Sequence, residues 1–280
     1  MLEIRLRNRA SKDYIDSVRG KVLGPADVDV LLTGSSVKVY KPNGDPLLVY
    51  LPKAIPEDIN AVAYEILHTI KGETTNRGLA SGSKRVPVSH GDNEEYKRRI
   101  SPRTYAKPVK SSIIGVIEGT SVAAPEHRMC RQTAWTGTHM PQWKALQPYL
   151  QTIARHFAEQ VPQRYSAQMR QVKATQRDWI VPGTPFTTLT VNTSYPTGVH
   201  MDDGDLEEGF SCLAVIRRGT YSGGFLTFPE FRTAVNMRDG DLLLMDAHEW
   251  HGNTQLLDAR GKPFDTPLPD AERISTVCYF

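Results

Sequence analysis

Apolar residues near the start of the chain fall in short runs, Val28–Leu32, Val37–Tyr40 and Leu47–Leu51, divided by Gly-Ser-Ser and Pro-Asn-Gly-Asp. Short runs between turn-forming residues predict strands. After Pro56 the spacing changes. Ile59, Val62, Ala63, Ile66, Leu67 and Ile70 recur at intervals of three and four, one face of a helix, with Pro56 suited to its first turn and Gly72 to its stop. From 72 to 110 the chain is polar, basic and aperiodic, a loop long enough to be either functional or unstructured. Ser112–Ile117 resumes as a strand. Leu146, Leu150, Ile153, Ala154 and Phe157 predict a helix within Trp143–Gln160, which Pro148 either kinks or starts, and Tyr165–Lys173 predicts a shorter one.

The last hundred residues change character. Thr187–Asn192, Cys212–Ile216, Gly224–Phe228, Asp241–Met245 and Ile274–Phe280 are closely spaced strand-like runs, the signature of a β sandwich or barrel. The expected class is α+β, mainly β. A core over residues 111–280 carries flanking helices, and an α/β extension over 1–110 packs on it.

Charge adds one feature. Of 280 residues, 34 are Lys or Arg and 31 Asp or Glu, a formal net charge of +3. Between Arg77 and Lys110, however, nine basic residues face only three acids. Such a segment is either a solvated loop or a footprint for a polyanion. No uncharged apolar run approaches the ~18 residues of a membrane span, and the first residues lack an apolar secretion signal. Three widely spaced cysteines, Cys130, Cys212 and Cys278, fit a reducing compartment and read as small buried hydrophobes. The expectation is a cytoplasmic protein of a prokaryotic or phage-infected cell, not secreted, with no membrane partner.

Candidate chemistry lies in the β region. In His200-Met201-Asp202 the two ionisable side chains share a face of a strand. Downstream, Asp241–His251 reads DLLLMDAHEWH, an apolar strand leading to two histidines, and Arg273-Ile274-Ser275 follows. Two imidazoles and a carboxylate make a facial triad for non-haem Fe(II), leaving positions open for a cosubstrate and O2. Spacing leaves both His248 and His251 as the third ligand. A buried Arg with a neighbouring hydroxyl suits a distal carboxylate. Gly223-Gly224 reads as a hairpin turn, since no helix follows for a phosphate cradle.

These motifs stand in the order of the double-stranded β-helix (jelly-roll, cupin-like) dioxygenases. The blocks FTTLTVN (186–192), HMDDGD (200–205), GGFLTFPE (223–230) and HEWHGNTQL (248–256) further resemble the TET/JBP oxygenases, minimal phage and microbial members above all, over roughly residues 111–280. That resemblance implies Fe(II), 2-oxoglutarate and O2 as metal and cosubstrates, with hydroxylation of the 5-methyl group of thymine or 5-methylcytosine in DNA, or further oxidation of it. It implies His200, Asp202 and His251 as iron ligands, with His248 orienting the site, and Arg273 and Ser275 on the cosubstrate. Asp205 stands where cytosine-acting members generally carry Asn, as in the thymine-acting members. Tyr279, Phe280 and Phe210 are candidates to stack on a flipped base, and Arg77, Lys97, Arg98 and Arg99 to hold the nucleic acid. The resemblance implies a monomer acting on DNA with no protein partner. The alternatives are a dioxygenase of small metabolites, amino acids or free nucleotides, and a non-catalytic reader of modified bases.

Overall fold

The computed structural model describes residues 1–75, 77–82, 108–118, 130–202 and 205–280. Its centre is a nine-stranded sheet in the order Leu2–Arg5, Val37–Tyr40, Pro46–Leu51, Asp241–Met245, Ser211–Gly219, Ala271–Tyr279, Thr188–Thr193, Ser111–Glu118 and Cys130–Gln132. Against it lie a four-stranded sheet (Gly252–Asn253, Leu226–Phe228, Thr233–Val235, Val30–Leu32) and a three-stranded one (Pro263–Phe264, Leu256–Leu257, Ser222–Gly223). The N-terminal strands extend both larger sheets. Pro46–Leu51 pairs antiparallel with Asp241–Met245, and Val30–Leu32 runs parallel to Thr233–Val235.

Alternation assigns the two faces of the large sheet. Cys212, Ala214, Ile216, Leu242, Leu244, Ile274 and Cys278 turn outward onto helices, where Leu146, Leu150, Ile153 and Phe157 complete a core. Leu213, Val215, Leu243 and Met245 turn inward and meet Leu226, Phe228 and Val235 of the four-stranded sheet. A period-two strand buried on both sides reads as a continuous apolar run, which explains DLLLM. This is the jelly-roll plan with flanking helices expected from the sequence. Arg273, Ser275 and Tyr279 share the inward face.

Local differences have local causes. The expected helix over Trp143–Gln160 is two helices, Met140–Ala145 and Gln147–Gln160, because Pro148 sits in the first turn of the second, where its missing N–H costs nothing. The helix after Pro56 spans Glu57–Leu67 and ends before Gly72. Gly72 instead permits close approach, since a Cβ there would collide with the Ser112 hydroxyl. Val62 is half exposed, at the edge of its stripe. Gly223 is no hairpin turn but pairs with Leu256 at positive φ, beside Gly224. Cys130 is exposed on an edge strand, unlike the buried Cys212 and Cys278. No helix among the described residues is long and apolar enough to cross a membrane.

Candidate metal centre and its surroundings

His200 lies outside the regular strands, yet it forms an antiparallel bridge with His251. Asp202 is tied to the same segment, its N–H donating to the Ala247 carbonyl at 3.1 Å. One ligand atom each from His200, Asp202 and His251 falls within a cluster 4.8 Å across. The Nε2 atoms lie 3.5 Å (His200) and 3.7 Å (His251) from the Asp202 carboxylate.

The histidine tautomers follow from the hydrogen bonds. His200 Nδ1 lies 2.8 Å from the Gly198 carbonyl and His251 Nδ1 2.9 Å from the Glu249 carbonyl. A carbonyl only accepts, so each Nδ1 carries the proton and each Nε2 offers a lone pair toward Asp202. Burial, and next the nearby His200, lower His251 to about 4, which keeps it neutral near pH 7. Burial works against the Asp202 charge, but His200 and then His251, once protonated at Nε2, outweigh it and lower Asp202 to about 2. Two imidazoles with Nε2 turned inward and a carboxylate on one side of a point are a donor set that fits a divalent iron.

His248 is not in this cluster. Its Nδ1 faces Asp246 at 3.3 Å and its Nε2 faces the Asp205 carbonyl at 3.3 Å. It lines a small pocket with Asp205, Ser211, Tyr279, Phe280 and Gln168. Asp205 accepts a short hydrogen bond from Ser211, and burial, followed by the Asp202 charge, raises it to about 7. The Tyr279 hydroxyl meets Thr190 Oγ1 at 3.1 Å. Phe210 belongs to the helix-side core, stacked on Phe157.

Arg273 is 3% exposed. Its backbone exchanges hydrogen bonds with Ser194, but among the described residues no acceptor or carboxylate meets its guanidinium. Burial lowers its pKa. A buried cation without a counter-ion is costly, so the site is built for an anion. Ser275 is buried on the same face, opposite Asn192 across the sheet. Asn192 accepts from Ser111 at 2.6 Å, and Ser111 in turn accepts from Arg77 Nε at 2.8 Å. The Arg77 charge helps to lower Asp202 and so stands near the triad. Lys97, Arg98 and Arg99 lie outside the described residues, with most of the basic segment.

Sequence reasoning missed an ion network behind the triad. Buried Lys41 bonds Asp246 at 3.0 Å and Glu249 at 2.9 Å, while Arg9 bonds Glu249 at 2.8 Å and Glu230 at 2.6 Å. Glu230 is thereby an ion-pair partner of Arg9. The network fixes the segment that presents His248 and His251. Asn253 adds a second clasp, accepting from Thr197 Oγ1 at 2.8 Å. In sequence nothing marked Lys41 as buried, since it opens the polar turn Lys-Pro-Asn-Gly-Asp.

A jelly roll that brings a His-x-Asp and a later His together, with a buried Arg that is unpaired among the described residues on its inner face, has the plan of the iron- and 2-oxoglutarate-dependent oxygenases. Residues 112–280 match the Tet_JBP family, the oxygenase domain of the 2OGFeDO superfamily, and the chain belongs to that family. It is 28% identical over 91% of its length to the thymine dioxygenase JBP1 of Trypanosoma brucei brucei, covering 27% of that protein. It is 35% identical over 76% of its length to JBP1 of Leishmania braziliensis, covering 23% of it. The chain thus spans about a quarter of the length of these relatives. Among solved structures, NgTET1 in complex with 5mC DNA shares the fold, with a TM-score of 0.55 at 14% identity over 88% of this chain and 76% of that one.

Proposed function

We propose that this chain is an Fe(II)- and 2-oxoglutarate-dependent dioxygenase that hydroxylates the 5-methyl group of a pyrimidine in DNA, with thymine the first base to test. The observation that carries the reading is the pairing of a His200–Asp202–His251 donor set with a buried Arg273 whose guanidinium is unpartnered among the described residues, in a chain of the Tet_JBP family. Fe(II), 2-oxoglutarate and O2 together supply the oxidant for an unactivated C–H bond.

The chain's own residues do the positioning. His200, Asp202 and His251 hold one face of the iron, and Arg273, with Ser275 beside it, takes the distal carboxylate of the cosubstrate. Asp205 and Tyr279 border the neighbouring pocket and orient the base. An Asp oxygen accepts the N3–H of thymine, a donor that neutral cytosine lacks. A base stacked in duplex cannot reach such a site, so the nucleotide is flipped. Arg77 and the basic segment with Lys97, Arg98 and Arg99 engage phosphates, which makes binding salt-dependent. Thymine is placed first because the relatives are thymine dioxygenases; 5-methylcytosine is the base in the NgTET1 complex.

Nucleoside mass spectrometry tests the reading. The protein is incubated with Fe(II), ascorbate, 2-oxoglutarate and DNA containing both bases, with a single-stranded copy and free nucleotides alongside. A 2-oxoglutarate-dependent gain of one oxygen on thymine in DNA is the expected result. The same gain on 5-methylcytosine reassigns the base. Oxidation of free nucleotides alone, or of neither base while succinate accumulates, overturns the DNA reading.

A further inference from the structure

Two buried hydroxyls among the described residues have no hydrogen-bond partner, those of Tyr195 and Tyr221. Buried polar groups are normally paired, so each orphan calls for a ligand or an explanation. Tyr221 is 7% exposed, and its setting points to the ligand.

The Tyr221 ring is clamped. Arg217 lies over it at 4.0 Å and donates to its carbonyl at 2.8 Å, and Phe264 meets it edge-on at 6.0 Å. It packs with Leu256 and Ala271, the latter two residues before Arg273 on the same face of the strand. Leu256 and the Arg273 side chain both crowd Gly224, where a Cβ would lie 2.6 Å from Leu256 and 3.4 Å from Arg273 Cδ and Nε. Tyr221 and Arg273 are therefore near neighbours around Leu256 and Gly224. The phenol feels the guanidinium, for burial raises Tyr221 and the Arg273 charge is the first to oppose that rise.

Both groups are donors, and neither has an acceptor among the described residues. A carboxylate offers about four lone-pair directions, and a guanidinium fork takes two. We propose that the Tyr221 hydroxyl donates to the distal carboxylate held by Arg273, completing the recognition of a five-carbon 2-oxo diacid. The cation stacked on the ring strengthens the phenol as a donor, which gives Arg217 its place over Tyr221. The inference rests on the reading above that the bound acid is 2-oxoglutarate.

Calorimetry on the full chain with Mn(II) in the metal site separates the possibilities without turnover. Two probes share a chelating head: N-oxalylglycine carries a distal carboxylate, and oxalate does not. Tyr221→Phe keeps the ring and removes only the hydroxyl. Its affinity for N-oxalylglycine should fall about tenfold, the effect of one hydrogen bond to a charged group, with oxalate unchanged. Equal loss of both probes, or no loss of either, overturns the role of Tyr221 and leaves the cosubstrate reading intact. Wild-type protein that binds N-oxalylglycine no better than oxalate overturns both. Tyr221→Phe should melt no lower than wild type when ligand-free, because an unpaired hydroxyl has been removed; a large drop in Tm would show the hydroxyl to be structural and also sink the proposal.

Discussion

His200 and His251 hold each other through both main-chain groups: the His200 N–H donates to the His251 carbonyl at 2.8 Å, and the His251 N–H donates back at 2.9 Å. Residues paired in this way project side chains to the same face, and the ring centroids lie 4.4 Å apart. The separation of the two imidazoles is thus a backbone property, present before a metal arrives.

Glycines on both sides of that bridge should be intolerant of substitution. A Cβ at Gly252 would lie 3.0 Å from Val199 backbone, and one at Gly198 would meet the Gly20 and Leu79 carbonyls at 2.6 and 2.8 Å. Gly198→Ala should cost about 1–3 kcal/mol of stability and weaken Mn(II) binding measured by calorimetry. Gly137→Ala is the control, with open space around its Cβ and a helical setting that favours Ala. Unchanged metal affinity in Gly198→Ala would show that the bridge does not set the site.

The two histidines of the HEWH block should separate cleanly. His251→Ala and Asp202→Ala should each abolish Mn(II) binding and turnover. His248→Ala should still bind Mn(II), since its ring faces Asp246 and the Asp205 carbonyl and lies outside the cluster. Electron paramagnetic resonance of the bound Mn(II) reads this directly. Loss of the signal in His248→Ala would refute the ligand assignment.

Arg273 should be a case of function held at the expense of stability. Its guanidinium is buried with no anion beside it among the described residues, so Arg273→Met should raise the Tm of the ligand-free protein. The same variant should lose the thermal stabilisation that N-oxalylglycine confers on wild type. A lower Tm in the ligand-free variant would mean that Arg273 has a partner within the protein.

The Lys41 network carries a pH signature. Burial opposes the Glu249 charge, but hydrogen bonds from Arg9 and Lys41 overcome it and hold Glu249 at about 2, below its ordinary 4.5. A carboxylate lowered on folding stabilises fully above its unfolded pKa, and that contribution is lost as pH falls through the folded one. Wild type should therefore lose Tm steeply between about pH 4.5 and 2. Lys41→Met should start lower and lose less across that window. Parallel pH profiles for the two proteins would show that Lys41 does not sustain the Glu249 charge.

Much of this was legible from alternation. Period two places Arg273 and Ser275 on one face, and the apolar run before His251 marks a strand buried on both sides. The DLLLM strand and the helix face from Leu146 to Phe157 follow from composition and spacing alone. What sequence could not show is pairing at a distance. Lys41 and Asp246 stand 205 positions apart, and nothing local to either announces the other. Tyr221 follows a Gly-Thr turn and reads as surface until Arg217 and Phe264 are seen to enclose it. Cys130 was misread because residue type predicts average burial, and an edge strand departs from the average.

The strand Ala271–Tyr279 is the last of the described strands to be synthesised, yet it lies between Ser211–Gly219 and Thr188–Thr193 in the interior of the large sheet. Until it enters, two strands made much earlier have unpaired edges facing each other across a gap, and Arg273 has no pocket to occupy. The nascent chain carries those open edges while residues 220–270 are made, a hazard for association with other chains. The acid-binding side of the site is therefore the last part to be assembled, because Arg273 and Ser275 arrive with this strand.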